Sequence, residues 1–564
     1  MSKSITSVEP GPMATTKEHA SIDMNYPPEV AALMREFSGA RYNKLMRKLD
    51  LRLIPMIAIL YLIAYLDRGN IANARLAGLE KDLGMEGDQY NVALTIFFVS
   101  YIIFEVPANM ALKYLSPRIW ITLIAVSWGL VMTLMGIVHS YEGLLAARFM
   151  LGGSRSWNIS CRSILYHHMV FTTRSYVSNR SLLCHCFFGK FSDVKLSGAF
   201  SGLLAYAITL MDGIGGLAGW QWIFILEGIL TVICGVMAYF TIYNGPDSVS
   251  WLTDEEKAYI KMKLAYDGNR SGMGASEEGS KKKYIKDAFC DWQVYLSVVI
   301  YLGISVSTYG LVFGLPTIVS TLVSHSSISH VSQPRIPLVD LKLIQGYTDR
   351  AAQLMTIPPY VTACILTIIV AHLSDRLKRR GYFIAGALTF ALVGFIIAIT
   401  TAGNEKLASV TYAGCFIACC GFFPAFPGVI SWLANNLAGP YKRAIAMSLQ
   451  ICKISPYNNS LSAESRLLII LLVVALGNTG GLIGSNIYRA QEKPRYTTGY
   501  GISIGFISIA IIATGVMISV LSLTNKKRER YIEQNGGPDG VVDQHGDVAL
   551  TEMGDKSPLF RYTL

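Results

Sequence analysis

Three ionisable residues stand inside long apolar runs. Arg68 lies in Tyr65-Leu-Asp-Arg-Gly-Asn-Ile-Ala-Asn-Ala74, Glu105 in Tyr101-Ile-Ile-Phe-Glu-Val-Pro-Ala-Asn109, and Glu227 in Gly219-Trp-Gln-Trp-Ile-Phe-Ile-Leu-Glu-Gly228. An ionised side chain at the centre of a bilayer costs about 2.5–3.5 kcal/mol or more, so each needs compensation. A guanidinium grips a carboxylate through two parallel hydrogen bonds, which suits Arg68 to an organic anion. An internal pair with Asp67, or snorkelling to an interface, is the alternative. A carboxyl group in low dielectric can take and release a proton near neutral pH, as proton coupling requires. Glu105, mid-run ahead of Pro107, ranks first for that role, with Glu227 and Asp67 beside it. A structural ion pair is an equal reading for Glu227, and Arg148 is a candidate partner for such a carboxylate.

The elements that position these residues follow from composition. The chain has 564 residues, 52% hydrophobic and only 15% charged, with mean hydropathy +0.39. Soluble domains carry roughly a quarter charged residues, and disorder needs low hydrophobicity, so both are excluded for the bulk of the chain. Apolar runs of bilayer length, ~20 residues each, recur about twelve times between Leu51 and Leu523. We therefore expect an all-α membrane protein of two six-helix halves. The first half covers residues 46–243 and the second 293–523, joined by a hydrophilic loop over 244–292. Residues 1–45 are expected to be disordered, the first span then acting as its own insertion signal, and 524–564 form a tail.

The net charge of +11 is gathered at the ends of apolar runs: Arg41 to Arg52, Lys281 to Lys286, Arg376 to Arg380, and Lys526 to Arg530. That distribution places both termini and the central loop in the cytoplasm and argues against nucleic acid as a partner. The cysteines sit mostly within apolar runs, as Cys234, Cys364, Cys415, Cys419 and Cys420 do. They read as small buried hydrophobes, without metal or disulfide.

Several motifs carry a resemblance. Leu373-Ser-Asp-Arg-Leu-Lys-Arg-Arg-Gly381 resembles the cytoplasmic loop motif of the major facilitator superfamily. Asp375 there can latch the inside closed, with Arg376, Arg379 and Arg380 as the basic members of the gate. The Arg68, Glu105 and Glu227 segments join Asp212-Gly213 and Pro424-Ala-Phe-Pro-Gly-Val-Ile-Ser-Trp432-Leu-Ala-Asn-Asn436. Together they resemble the fungal anion:cation symporters, the group of nicotinate, allantoate and pantothenate permeases, from about residue 45 to 525. The resemblance implies a secondary carrier that moves a small organic anion with protons by alternating access. It implies that Arg68 meets the substrate carboxylate, with Asn70 as a further candidate ligand; Trp432 and Asn435 could line the cavity by stacking on and hydrogen bonding a ring substrate, lipid-facing or core positions being the equal alternative. The implied partners are that anion, protons and the lipid bilayer. No cofactor or metal is implied, and a monomer in the plasma membrane is expected.

Three segments depart from the pattern: 151–197, 323–345 and 452–476. The first lacks the usual Glu-Ala-Gly and Pro-Gly positions, and Met169-Val170, encoded ATG-GTN, contains a Trp codon one base later. It reads as a frameshifted copy of the normal segment. The other two begin at Val-Ser and Cys-Lys, which can encode splice donors, and read as translated introns; divergence within the family is the alternative. A metal reading of His167-His168 is disfavoured, since neighbouring residues do not share a helix face. A transport-incompetent chain and a non-transporting nutrient sensor on the same fold remain alternatives. An enzyme is not expected, because no nucleophile–base constellation or phosphate loop appears.

Overall fold

The computed structural model describes residues 37, 39–111, 116–166, 193–244, 246–268, 290–330, 351–377, 379–437, 442, 479–545 and 553–564. His167, His168 and the larger part of each departing segment lie outside them, as does the side chain of Glu105.

The described chain is helical throughout. The first half contributes α1 (Gly39–Leu76), α2 (Gln89–Ala111), α3 (Pro117–Met135), α4 (Tyr141–Tyr166), α5 (Asp193–Thr209) and α6 (Gly219–Thr241). The connector holds α7 (Asp254–Gly268). The second half contributes α8 (Trp292–His330), α9 (Ile357–Leu377), α10 (Arg380–Thr401), α11 (Ala408–Asn436) and α12 (Thr497–Gln534), with a short helical piece after 479. Among the described residues, seven helices are long and apolar enough to cross a membrane: α3, α6, α8, α10, α11, α12 and a stretch containing α9. The first helix is longer than its apolar run, because its basic N-terminal turns continue past the hydrocarbon boundary.

Each half is held by close helix packing at small residues. In the second half α10 and α11 meet along Gly394, Gly414 and Gly421. A Cβ at Gly421 would fall 2.4 Å from the Ala391 nitrogen, and one at Gly394 2.4 Å from that of Ala418. In the first half α3 and α6 meet at Gly129 and Gly228, whose Cβ atoms would fall 2.8 Å from the Val232 nitrogen and 2.6 Å from the Thr133 nitrogen. Hydrocarbon tails are as apolar as the helix faces, so close backbone approach and dispersion supply the attraction. Overpacking costs about 1–3 kcal/mol where side chains can yield, and backbone yields least. Gly421→Val should therefore abolish the monodisperse folded peak in detergent gel filtration. Gly386→Ala, where a Cβ meets nothing within 4 Å, should leave it intact.

The N-terminal turns of α1 and the connector form a small cluster at one end of the bundle, called the basic end below. Phe37, Tyr42, Leu45, Met46 and Leu49 pack on Val249, Leu252, Tyr259 and Ile260. Around them Arg41 pairs with Glu255 at 2.5 Å and Lys48 with Glu256 at 2.8 Å. Burial works against the Glu256 carboxylate. The Lys48 ammonium, the Thr253 N–H and the Arg41 charge outweigh it and hold the group below its ordinary value. The sign follows from linkage: this pairing stabilises the fold above the ordinary carboxyl pKa and is lost as pH falls through the lower folded one. Melting temperature should thus drop on acidification below about pH 4, and Glu256→Gln should remove part of that drop. A pH profile identical in the variant would refute the role.

Of the cysteines, Cys234, Cys415, Cys419 and Cys420 are buried and unbridged, and Cys364 is half-buried.

Candidate functional site

The site is built on the last turns of α1. Arg68 stands eight residues before Leu76, or roughly 12 Å along the axis at 1.5 Å per residue. Its Nη1 donates to the Tyr309 hydroxyl of α8 at 3.1 Å, and its guanidinium lies 4.9 Å from the Tyr65 ring centroid. Tyr309 belongs to the second half, so this contact spans the seam between halves. Tyr309 in turn stacks on Phe313, and Phe98 of α2 meets both edge-on. At the seam the guanidinium meets a neutral hydroxyl and an aromatic face.

On the buried side of the same turns, Asn70 donates through Nδ2 to the Glu227 carboxylate of α6. Asp67 lies beside Glu227, near enough for a hydrogen bond when one carboxyl carries the proton. Asp67, Asn70 and Glu227 are each at most 2% exposed. One turn further on, Asn73 donates to Ser201 Oγ of α5 at 2.7 Å and fixes α1 against that helix. The sequence motif around Arg68 thus serves two directions. Arg68 faces the seam, while Asp67, Asn70 and Asn73 face the first half.

The halves also meet at the end of the bundle away from the connector. Asn486 donates to Thr95 Oγ1 at 2.7 Å and Gln491 to Asp88 at 3.1 Å, each joining the second half to α2 or its leading turn. A small cavity at this level is lined by Arg75, Tyr90, Asn91, Thr317, Ser485 and Tyr488. Arg75 pairs with Glu80 at 2.7 Å and lies 4.1 Å over the Tyr90 ring.

The other sequence candidates are placed elsewhere. Trp432 sits at the basic end of α11, its indole N–H donating to the Thr563 carbonyl at 2.8 Å, and not beside Arg68. Asn435 is exposed, whereas its neighbour Asn436 is buried. Asp375 pairs with Arg380 at 2.5 Å within its own loop, so this pair does not reach across to the first half. Arg376 and Arg379 are exposed. An ion pair so placed contributes little to stability. Among the described residues Arg148 meets the Ala93 carbonyl at 3.3 Å and the Phe97 ring instead of a carboxylate.

Tyr309 and the Arg75–Glu80 pair were missed from sequence. The signal for Tyr309 was present, since Ser305, Ser307, Thr308 and Tyr309 form a polar run within an otherwise apolar span.

Comparison with known proteins agrees with this architecture. The family model described as Major Facilitator Superfamily matches residues 57–170 and 195–452. The unmatched stretch between them falls inside the departing segment 151–197. The MFS-type transporter cnsO of Penicillium expansum is 33% identical over 538 residues, covering 94% of this chain and 92% of its own length. The high-affinity nicotinic acid transporter of Saccharomyces cerevisiae is 27% identical over 524 residues, covering 92% of this chain and 84% of its own. In fold, the chain is similar to a bacterial homolog of the human lysosomal transporter Spinster, inward-facing and unoccupied. The TM-score is 0.54 at 13% identity, over 84% of this chain and 96% of that one. The xylose transporter XylE from E. coli gives 0.51 at 12% identity, over 83% and 96%. A helical bundle of two halves with a charged seam, matched along most of its length, places this chain in the major facilitator superfamily of membrane transporters, and it is not an enzyme.

Proposed function

We propose that the chain is a proton-coupled symporter of a small organic anion, nicotinate or another vitamin-type carboxylate, of the fungal anion:cation symporter kind. The basic end faces the cytoplasm of a plasma-membrane protein, following the distribution of Lys and Arg. What carries the reading is the position of Arg68: a guanidinium on the seam, hydrogen-bonded to a tyrosine of the opposite half. An arriving carboxylate can take over that guanidinium with two charge-assisted hydrogen bonds and so exchange a contact between halves for one with substrate. Opposite it, Asp67 and Glu227 form the proton-handling pair. Glu105, whose side chain lies outside the described residues, remains a second candidate. The nicotinic acid transporter among the relatives supports the choice of substrate class.

Uptake of a radiolabelled carboxylate panel in cells lacking their own permeases tests this. Nicotinate-type uptake should rise with external acidity and collapse with an uncoupler. Uptake indifferent to pH, or absent for every carboxylate, would overturn the reading. Running the same panel on a chain with 151–197, 323–345 and 452–476 replaced by family-typical sequence tests whether those segments disable transport.

A further inference from the structure

Residues 553–564 return to the basic end of the second half and are held there by side chains that read their backbone. Asn436, at the end of α11, accepts the Thr563 N–H at 2.8 Å and donates to the Thr563 carbonyl at 3.1 Å. Asn525 of α12 does the same for Tyr562, at 3.0 and 2.8 Å. Arg528 donates to the carbonyls of Asp555 at 2.6 Å and Phe560 at 2.8 Å, and lies 4.5 Å over the Tyr562 ring. Trp432 takes the Thr563 carbonyl as well, while Tyr562 and Leu564 pack on the core of the second half.

Two asparagines, each pairing with both the donor and the acceptor of one extended residue, are how a groove recognises a peptide main chain. Side-chain selection comes from the aromatic contact and from Asp555. Its carboxylate meets Lys442 at 2.8 Å, and Lys442 also holds Asp291 at 2.6 Å ahead of α8. Burial opposes the ammonium, but the two carboxylates more than offset it and keep Lys442 charged. This arrangement has a consequence for release. Removing one partner of a buried pair usually orphans a charge. Here departure of Asp555 leaves Lys442 paired with Asp291. The remaining anchors are hydrogen bonds to the segment's main chain from Trp432 and Asn436 of α11 and Asn525 and Arg528 of α12.

The held element is itself suited to move. α11 contains Pro424 and Pro427, which remove two backbone donors and weaken the helix there. Trp432 and Asn436 lie on the arm beyond them. We propose that the basic end of the second half is a peptide-binding groove whose ligand is the chain's own C-terminal segment. That segment is a detachable clasp, holding the arm of α11 beyond its prolines against α12.

The test uses the folded full-length transporter with a protease site introduced between residues 546 and 552. After cutting, the C-terminal fragment should co-elute with the transporter in gel filtration, and Asn436→Ala or Arg528→Ala should let it go. Hydrogen exchange over residues 428–436 should then accelerate about tenfold or more relative to the cut protein that keeps its fragment. Circular dichroism identifies any variant that has unfolded. Loss of the fragment from the unmodified, still-folded cut protein would overturn the groove. Unchanged exchange after its release would overturn the clasp.

Discussion

Replacing Arg68 with Gln should reduce uptake of the anion by about a hundredfold or more, and Lys should recover only part of it. Hydrogen bonds to charged groups contribute about 1.5–3 kcal/mol each, and every 1.4 kcal/mol is a factor of ten. A bidentate guanidinium–carboxylate contact therefore accounts for two or more such factors. Lys retains the charge but has no planar fork, so it loses one of the two bonds and should fall about tenfold short. The Tyr309 contact makes the experiment more pointed. Tyr309→Phe removes the hydroxyl that Arg68 engages at 3.1 Å while keeping the ring that stacks on Phe313. If the substrate displaces that hydroxyl, KM should improve or stay level in Tyr309→Phe while it collapses in Arg68→Gln. Equal losses in both would mean that the pair is structural. Membrane localisation and a monodisperse gel-filtration peak separate such a loss from misfolding.

The sequence carried the helices and their division into halves because both follow from bilayer thickness and from basic residues at helix ends. It also singles out Arg68, Asp67, Asn70 and Glu227 as candidates, since charged or amide groups inside apolar runs are anomalous wherever they lie. What it could not carry was direction. Arg68 and Asn70 are two positions apart in Leu66-Asp-Arg-Gly-Asn70, and on a helix such neighbours face different ways. Only the packed bundle shows Arg68 at the seam and Asn70 on Glu227. Trp432 illustrates the converse. An indole near a helix end is compatible with a cavity, with lipid or with a docked peptide, and its partner Thr563 lies 131 residues away. No local pattern reports a contact made at that separation. Asp375 is a related case: an acidic residue among basic ones finds a partner within the loop, at Arg380.

Replacing Glu227 with Gln should separate transport from its driving force. Around the site, Arg68 contributes one positive charge, and Asp67 with Glu227 share a single proton if they are hydrogen-bonded to each other. The group is then neutral as a whole. An arriving anion adds a negative charge in a region where uncompensated charge costs several kcal/mol, and a second proton on the carboxyl pair restores the balance. By linkage, the anion must then promote proton binding as strongly as the proton promotes anion binding. Gln keeps the volume and can still meet Asn70, but it removes the second carboxyl whose charge favours a proton on Asp67, so Asp67 stays ionised beside Arg68 and the balancing proton is not taken up. Acid-driven accumulation of the anion should therefore fall about tenfold or more in Glu227→Gln. Exchange of external labelled substrate for internal unlabelled substrate, which needs no proton discharge, should persist. Asp67→Asn should behave alike, because either substitution removes one of the two carboxyls across which the proton moves. Arg68→Gln, by contrast, should abolish exchange and accumulation together, since it removes the anion's own contact. If Glu227→Gln still accumulates substrate in response to acid, the coupling carboxyl lies elsewhere, and Glu105 is the next to substitute.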